Sequence, residues 1–449
     1  MTHIEGIAGS TWRRGEDGYE QARQDLIWQT MTPDRHPELI VRVSNEQDVV
    51  EAVRYARDHG LKVKARGGGH SFTGSALRSG VALDFSEYKE VTVDPETRTA
   101  TITAGVEGSD LMAAILPHGL YFPGGHERTV GLAGYLLQGG FGWNGRALGP
   151  ACASVRAIDV VTADGELIHS DDTTNPDFIW AARGAGSGYF GVVTRFYLDL
   201  QPLPASLRSS LYVYPIEAYD ELVPWFLEVA ATLPDWVEPW LISANPPGAE
   251  PDADPVLIVY AIAFADSDAS ATEALSAFET PPAGTEALQR RFSAETDFDE
   301  CYDFFVTTGA GLDARYCFDG MWTEASAEAL VPALREMYTS FPTPFSCAMF
   351  MPWVVRDVDG CFSMQTPLYL SPMAIWLDPA DDDRLIGWAT GHMKRLEPLA
   401  AGIQLADENL INRPAPFMAP ERLERLESLR ATHDPDGRFH SFLRSPADA

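Results

Sequence analysis

The sequence predicts an α+β protein of two or three domains, and three observations lead to this prediction. The chain has 449 residues, which is too long for a single hydrophobic core. Its 45% hydrophobic content is typical of a packed globular protein. Alternating apolar segments between residues 81 and 104 indicate adjoining strands. The amino-acid composition changes after Pro202-Leu203-Pro204, and most of the prolines and tryptophans lie beyond this point. We therefore expect one domain over 1–205, a second α+β domain over 206–400 and a C-terminal segment over 401–449.

The first pattern along the chain is a β-α-β unit. Residues 38–43 predict a strand, and Ser44-Asn45 is typical of the cap of a helix that Gly60 ends. A strand over 61–65 then leads into residues 66–71, which read Arg-Gly-Gly-Gly-His-Ser. Ligands collect at the carboxyl ends of strands in such units, so we expect a binding site at this loop.

The loop itself is suited to an anion. Gly67, Gly68 and Gly69 carry no Cβ atom, so backbone N–H groups can approach a phosphate or pyrophosphate closely. The plain alternative is a tight surface turn. The dinucleotide fingerprint G-x-G-x-x-G is not met, because strands rather than a helix follow the loop. The pattern therefore indicates an α+β sheet and not a Rossmann fold.

A second glycine-rich segment runs from Gly124 to Gly142 and holds seven glycines in nineteen residues. Glycines mixed with apolar residues indicate a backbone packed against something flat and large, or alternatively a tight loop between sheets. A third glycine loop, residues 184–191, leads into a strand that begins near Val192. Independent glycine-rich segments flanked by strands favour a cofactor cradle.

The remaining elements follow from the same apolar periodicities and turn signals. Strands are predicted at 81–85, 91–94, 99–104, 155–162, 167–170, 256–264 and 402–406. Helices are predicted at 108–117, 176–184, 217–233, 325–338 and 420–432.

Charge and cysteine content exclude several classes of function. The chain has 33 Lys and Arg against 65 Asp and Glu, a formal net charge of −32, which argues against nucleic acids and anionic membranes as partners. Its five cysteines form no C-x-x-C pair, so we expect neither a disulfide framework nor a metal site. We also expect no secretory signal and no membrane span, and hence a cytoplasmic protein.

Several segments together resemble one protein family, in its order and spacing. They resemble the FAD-binding domain (PCMH type) of the vanillyl-alcohol oxidase and p-cresol methylhydroxylase superfamily, and residues 426–439 resemble the ending of its berberine-bridge-enzyme-like branch. Small bacterial members of that branch include sugar oxidases and 6-hydroxynicotine oxidases. The segments are 65–71, 130–134, 139–142, 161–165, 180–184 and 190–194.

The resemblance implies a two-subdomain FAD-binding fold with an inserted substrate domain, an antiparallel sheet covered by helices. It assigns the glycine loop to the FAD pyrophosphate and implies one covalent bond from His70 to the flavin. A neutral imidazole is a competent nucleophile for such a bond. The resemblance implies these cofactor-binding residues: Arg66, Gly67, Gly68, Gly69, His70, Ser71, Thr129, Val130, Gly131, Gly134, Gly139, Gly140, Gly142 and Val192.

The chain departs from the family pattern at two positions and matches it at a third. Glu127 stands where many members carry a second flavin-linking cysteine, so it is a candidate catalytic carboxylate, or else is solvated or paired with Arg128. Asn412 is a candidate catalytic residue from the family's Tyr-x-Asn motif, although Leu410 replaces the tyrosine. Val130 matches the oxygen-access position, where a small side chain goes with oxidase behaviour.

The leading functional hypothesis is an FAD-dependent oxidase acting with O2 on a small aromatic or heterocyclic alcohol or amine. An aromatic wall in the middle domain favours such a substrate, although most of its members are expected to be ordinary core. The alternatives are a tailoring oxidase or dehydrogenase of secondary metabolism, and a flavin-loaded binding protein without turnover. A monomer or homodimer is expected. The aromatic candidates are Tyr302, Phe304, Phe305, Tyr316, Phe318, Trp322, Phe350, Trp353 and Trp376.

Overall fold

A four-stranded sheet opens the chain and carries the glycine loop. The computed structural model describes residues 4–246, 248, 253–305, 313–407 and 409–448. The sheet has the order β1-β2-β4-β3, with β2 and β3 both parallel to β4, and Asn45 caps α2 by accepting a hydrogen bond from the Asp48 N–H. The predicted β-α-β unit is therefore confirmed. Its elements are β1 (Thr11–Arg13), α1 (Tyr19–Gln24), β2 (Leu39–Arg42), α2 (Glu46–Asp58), β3 (Val63–Arg66) and β4 (Val81–Asp84).

A five-stranded antiparallel sheet follows, with the order β5-β6-β10-β8-β9. Its strands match the predicted segments to within a residue or two, because each is a local apolar alternation bounded by turns. A two-stranded ribbon of β7 and β11 closes this part of the chain. The elements are β5 (Val91–Asp94), β6 (Thr99–Thr103), α3 (Gly108–Ile115), β7 (Leu120–Tyr121), α4 (Leu132–Leu137), α5 (Gly145–Leu148), β8 (Val155–Val161), β9 (Leu167–Asp171), α6 (Pro176–Ala182), β10 (Val192–Asp199) and β11 (Gln201–Pro202).

The middle of the chain forms an eight-stranded antiparallel sheet, ordered β15-β12-β14-β13-β18-β19-β16 with β17 also paired to β19. Helices α7, α8, α10 and α11 cover one face, as the resemblance implied. The elements are β12 (Ser206–Pro215), α7 (Tyr219–Thr232), β13 (Val237–Ala244), β14 (Val256–Ala265), α8 (Asp268–Leu275), β15 (Gln289–Glu295), α9 (Phe298–Phe305), β16 (Arg315–Phe318), β17 (Met321–Thr323), α10 (Ala327–Thr339), β18 (Cys347–Pro352), β19 (Leu368–Trp376), α11 (Asp382–Leu396) and α12 (Pro420–His433).

The other face of the eight-stranded sheet packs on the first half of the chain. Trp240, Met351 and Tyr369 from this face share one hydrophobic core with residues of the first two sheets. Strand alternation explains this division, because successive side chains of a strand point to opposite faces. The inner face of the large sheet is thereby fixed opposite the glycine loops.

The predicted strand over 402–406 is wrong. Gly402 forms only an isolated bridge with Trp322, and Leu405–Asp407 is a turn of 3-10 helix. Only one residue of this segment pairs with a neighbouring strand, so the alternating apolar pattern does not form a ladder of hydrogen bonds. The turn brings Gln404 and Asp407 toward the interior. Among the described residues, no helix is long and apolar enough to cross a membrane.

Candidate active site

A cavity of about 320 Å³ lies between the glycine loops and the inner face of the eight-stranded sheet. A second cavity of about 120 Å³ adjoins it and shares with it the residues Ala65, Gly67, Ser75, Gly134 and Gln138. The smaller cavity extends to Val192 and His440. The two together form an elongated site with one end against the first two sheets.

The first two glycine-rich segments touch each other directly. A Cβ atom on Gly68 would lie 2.3 Å from the Gly131 nitrogen, and one on Gly131 would lie 2.1 Å from the Gly68 nitrogen. Any side chain at either position would force the loops apart. The two segments together, 66–71 and 124–142, are called the glycine cradle. Gly134 differs, because a Cβ there would meet no protein atom within 4 Å and the residue borders both cavities. Gly134 thus leaves open room on the side of the site.

Most of the predicted cofactor-binding residues border the site. Arg66, Gly67, Gly68, Gly69, His70, Ser71, Val130, Gly131 and Gly134 line the larger cavity, and Val192 lines the smaller one. Thr129 lines neither cavity, but its hydroxyl is 2.8 Å from His70 Nε2.

Three glycines of the second segment are placed differently from the prediction. Gly139, Gly140 and Gly142 line neither cavity, and Cβ atoms there would collide with Phe362, with Tyr135 and with the Gly124 carbonyl, respectively. The space beside these three glycines is therefore filled by protein, which gives each of them a packing role. A glycine-rich motif does not reveal which of its members face the ligand and which face other protein.

His70 is held in a defined orientation beside the glycines. Its ring stacks on Trp28 with centroids 4.7 Å apart and an interplanar angle of 7°. Burial, helped by the nearby Arg66 guanidinium, lowers the pKa of His70 to about 4. The imidazole is therefore neutral at physiological pH and able to act as a nucleophile.

Arg66 supplies a positive charge to the same loop. Its Nη1 lies 3.4 Å from Asp84 Oδ1, and its Nη2 donates to the Gly68 carbonyl at 3.1 Å. The Nε atom is buried and has no hydrogen-bond partner within the protein. A buried donor left unsatisfied is costly, so an anionic group in the loop would complete this site.

Glu127 borders the cavity, as expected. Its Oε2 atom is buried without a hydrogen-bond partner, and burial raises the pKa of its carboxyl group. The alternative pairing with Arg128 does not occur, since that guanidinium binds Asp299 at 2.5 Å and Asp303 at 3.0 Å. A carboxylate facing the cavity can accept a proton or hold a cation.

Asn412 does not lie at the site, which corrects the second catalytic prediction. The residue is exposed, lines neither cavity and donates from Nδ2 to Asn409 Oδ1 at 2.7 Å. The turn after Gly402 instead brings Gln404 and Asp407 to the cavity. Which residues after Gly402 face the cavity is apparent only from the pairing of Gly402 with Trp322, which is distant in sequence.

The wall of the cavity opposite the glycine loops, called the substrate-side wall after the expected substrate domain, is largely apolar and includes cysteine and methionine side chains. Of the nine predicted aromatic residues, Phe305, Tyr316 and Phe318 line the cavity and the other six do not. Strand alternation in β13, β18 and β19 could have identified most of the missed residues, which are Trp240, Cys347, Met349, Met351, Tyr369 and Met373.

A buried polar network closes one side of this wall. His126 Nε2 lies 2.6 Å from Glu238 Oε1, which also accepts from the Trp240 indole at 3.0 Å. The other Glu238 oxygen accepts from the Asn144 backbone at 2.9 Å. Within the part of the chain that the structure describes, no cluster of three acidic, histidine or cysteine side chains could hold a metal ion.

Comparisons with known proteins agree on the cofactor. Residues 37–171 match the model of an FAD-binding domain. The FAD-linked oxidoreductase nodO of Hypoxylon pulicicidum is 31% identical over 97% of this chain and 97% of its own length.

Solved structures share the fold. 6-Hydroxy-D-nicotine oxidase from Arthrobacter nicotinovorans superimposes with a TM-score of 0.84 at 22% identity, over 97% of each chain. Phl p 4, a grass pollen allergen with glucose dehydrogenase activity, gives a TM-score of 0.78 at 18% identity over 96% of this chain and 95% of its own. An isoleucine-to-valine variant of Phl p 4 is described as a glucose oxidase. The full-length similarity and the glycine cradle together establish that the chain belongs to the family of FAD-linked oxidoreductases.

Proposed function

We propose that this FAD-dependent oxidoreductase is an oxidase for a small aromatic or heterocyclic alcohol or amine, with O2 as the electron acceptor. One observation carries the proposal: the glycine cradle, the Glu127 carboxyl group with its buried, unpartnered Oε2 atom, and an apolar, aromatic wall border the same cavity. A cofactor face and a substrate wall in one cavity are what such chemistry requires.

The residues present fit FAD. The unsatisfied Arg66 Nε and the backbone of Gly67 to Gly69 would hold the pyrophosphate, and the open side of Gly134 leaves room along the cofactor. His70, neutral and oriented by Trp28, would supply the single covalent link. Bound FAD supplies the capacity to accept a hydride from carbon and to return two electrons to O2.

The protein itself binds, orients and excludes water. Phe305, Tyr316 and Phe318 offer flat apolar surface to an aromatic ring, and desolvation by this wall strengthens every polar contact inside. Glu127 would hold an ammonium group of an amine substrate. These contacts orient the reacting carbon.

Val130 supports oxidase over dehydrogenase activity. It lines the cavity, and the family resemblance implies that its small side chain leaves a path for oxygen. In Phl p 4 an isoleucine-to-valine variant is described as an oxidase and the wild type as a dehydrogenase. The two Phl p 4 side chains differ by only one methylene group.

Photoreduction of the purified holoprotein under argon, followed by admission of air, tests the proposal. We expect rapid return of flavin absorbance with release of hydrogen peroxide. Val130→Leu should reoxidise about tenfold more slowly, a barrier increase of about 1.4 kcal/mol, while retaining its flavin. Flavin that stays reduced in air would contradict an oxidase, and peroxide release from a panel of alcohols, amines and phenols identifies the substrate class.

A reducing compartment is also part of the proposal. All five cysteines are free and buried, and burial raises the pKa of Cys152 and Cys347 to about 12. Unreactive thiols without disulfides are typical of cytoplasmic proteins. This supports a cytoplasmic enzyme.

A further inference from the structure

We propose that Tyr369, positioned by Asp407, is the residue that accepts the proton from the substrate's hydroxyl or amine group. The inference deepens the proposed function and rests on it. The observation behind it is a tyrosine–carboxylate hydrogen bond in the substrate-side wall, at residues that no sequence motif singled out.

Tyr369 belongs to the inner face of the eight-stranded sheet. It pairs with Met351 of β18 on one side and with Trp322 of β17 on the other, and both Tyr369 and Met351 line the cavity. Its neighbours Met349 and Met373 on the same wall are apolar. A phenol among thioethers offers a substrate hydroxyl or amine a polar partner on that surface.

The hydroxyl group of Tyr369 is fixed by its surroundings. It donates to Asp407 Oδ2 at 2.9 Å, and a Cβ atom on Gly320 would lie only 2.2 Å from its oxygen. Gly320 therefore provides the space that the hydroxyl occupies. The ring is held against Trp322 at a centroid distance of 5.0 Å.

Asp407 is the acceptor for the tyrosine proton. It follows Gln404 in the 3-10 turn, and its backbone N–H donates to the Gln404 carbonyl at 3.2 Å. Burial raises the pKa of the Asp407 carboxyl to about 7, partly offset by the Tyr369 hydrogen bond. Its ionised and protonated forms are thus both accessible near neutral pH, as a proton acceptor requires.

The other charges that act on Tyr369 compensate one another. Asp319 and Arg413 lie close enough to influence it, and they form their own buried ion pair, with Arg413 Nε 2.9 Å from Asp319 Oδ2. Burial raises the pKa of Tyr369 well above its ordinary value. The phenol therefore needs the Asp407 carboxylate to accept its proton as the substrate's proton arrives.

His126 and Glu127 also line the cavity but are less suited to accept the substrate's proton. His126 is enclosed by Trp143, Trp240 and Phe305, and its Nε2 is engaged by Glu238. Glu127 belongs to the glycine-rich cradle next to Thr129 and His70, on the side assigned to the cofactor. Tyr369 lies on the sheet that forms the opposite, substrate-side wall.

The substrate O–H or N–H proton moves to the Tyr369 oxygen while the tyrosine proton moves to Asp407. The electron pair left on oxygen or nitrogen forms the new double bond to carbon as the carbon's hydride leaves. The two electrons of that hydride reach O2, the acceptor of the proposed function, and hydrogen peroxide forms with two protons, one from the hydride's hydrogen and one released by Asp407. Tyr369 and Asp407 move only the proton.

Binding of 4-nitrophenol to the holoprotein tests the inference without turnover. Its phenolate and phenol forms differ in visible absorbance, so both affinity and proton transfer can be read across pH. Wild type should bind it about tenfold more tightly than Tyr369→Phe, the loss expected for one hydrogen bond to an ionisable group. Asp407→Asn should shift the pH midpoint at which bound phenolate appears.

Tyr338→Phe is the matched control. Its hydroxyl is buried and unpartnered in the helix-covered core of the same domain, so its removal should change neither affinity nor midpoint. Equal affinities and midpoints in Tyr369→Phe, Asp407→Asn and wild type would overturn the inference, and so would a wild type that does not bind 4-nitrophenol. Retained flavin absorbance and circular dichroism exclude a folding defect in any variant.

Failure of the inference and failure of the oxidase proposal give different results. Reoxidation in air requires no substrate proton, so both variants should reoxidise like the wild type. For any alcohol of the panel that reduces the flavin, the anaerobic rate in wild type should fall as pH drops below about 7, because Asp407 becomes protonated. Asp407→Asn should remove that dependence and lower the rate about a hundredfold. A persistently reduced wild-type flavin in air would contradict the oxidase alone.

Discussion

His70 illustrates how packing sets the chemistry of a single side chain. Its ring stacks on Trp28 and its Nε2 atom contacts the Thr129 hydroxyl, while burial and the neighbouring Arg66 disfavour a positive charge on it. Its pKa falls to about 4 as a result. The sequence places His70 next to the glycines, but its stacking partner Trp28 lies forty-two positions earlier in the chain.

Flavin attachment to the apoprotein should therefore be nearly independent of pH between 6 and 8. An ordinary histidine, with a pKa near 6.5, would attach flavin more slowly at pH 6 because about three quarters of it is protonated there. With its pKa lowered to about 4, His70 is already neutral, and attachment slows only as pH falls toward that value. Acid-stable flavin after denaturation is the measurement.

Two variants control this experiment. His70→Ala should release all flavin on denaturation, whereas Cys152→Ala should retain it, because the Cys152 thiol is fully buried and protonated. Flavin retained in His70→Ala, or a rate that rises severalfold from pH 6 to pH 8, would contradict the assignment.

At the scale of elements, the loop after β3 and the start of α4 are built around one close contact. Gly68 and Gly131 meet with no room for a Cβ atom on either side. Hydrogen bonds from Leu132 N–H to the Val106 carbonyl and from Gly108 N–H to the Val130 carbonyl hold the second segment in place. Contacts within the protein therefore hold the two segments together without a ligand.

Gly131→Ala and Gly134→Ala should have opposite effects on the protein without cofactor. The Gly131 substitution forces a methyl group into the Gly68 backbone and should destabilise the fold by about 1–3 kcal/mol. Alanine at Gly134, within α4, meets no protein atom and should stabilise the helix by about 0.5–1 kcal/mol, yet it should weaken FAD binding by filling the open side. Thermal unfolding of both variants, with and without FAD, measures the contrast; equal destabilisation of the two apoproteins would refute it.

Local sequence patterns predicted most helices and strands. Which residues face the cavity depends on strand pairing between distant segments, which the sequence alone does not show. The β-α-β unit and the helix from Pro420 were accessible because caps, glycines and periodicity lie within each segment. Asn412 was misassigned because a single bridge between Gly402 and Trp322 sets which residues turn inward. Tyr369 was missed because only the register of β19 with its neighbours shows the face it occupies.

At the scale of the whole molecule, the C-terminal segment joins the two halves of the chain. Val63 N–H donates to the Arg438 carbonyl and His440 N–H donates to the Val63 carbonyl, so the segment pairs with β3 beside the glycine loop. At its other end, Arg413 reaches into the eight-stranded sheet. The segment thus spans from the cofactor cradle to the substrate-side wall.

The Arg413–Asp319 pair should be the strongest single link in this connection. Both side chains are almost fully buried, and Arg413 also donates to the Gly320 carbonyl at 2.7 Å, behind the space that the Tyr369 hydroxyl occupies. Removing one partner leaves a buried charge uncompensated, so Asp319→Ala and Arg413→Ala should each cost about 3–5 kcal/mol in the free energy of unfolding.

A double-mutant cycle measured by urea unfolding separates this link from ordinary packing. The double variant should lose much less than the sum of the two single losses, because it leaves no unpaired charge. The exposed pair Arg335–Asp220 is the matched control and should contribute less than about 1 kcal/mol. Because Arg413 supports Gly320, the single variants should also lower 4-nitrophenol affinity while folded. Additive losses with unchanged affinity would mean that the C-terminal segment docks by apolar contact alone.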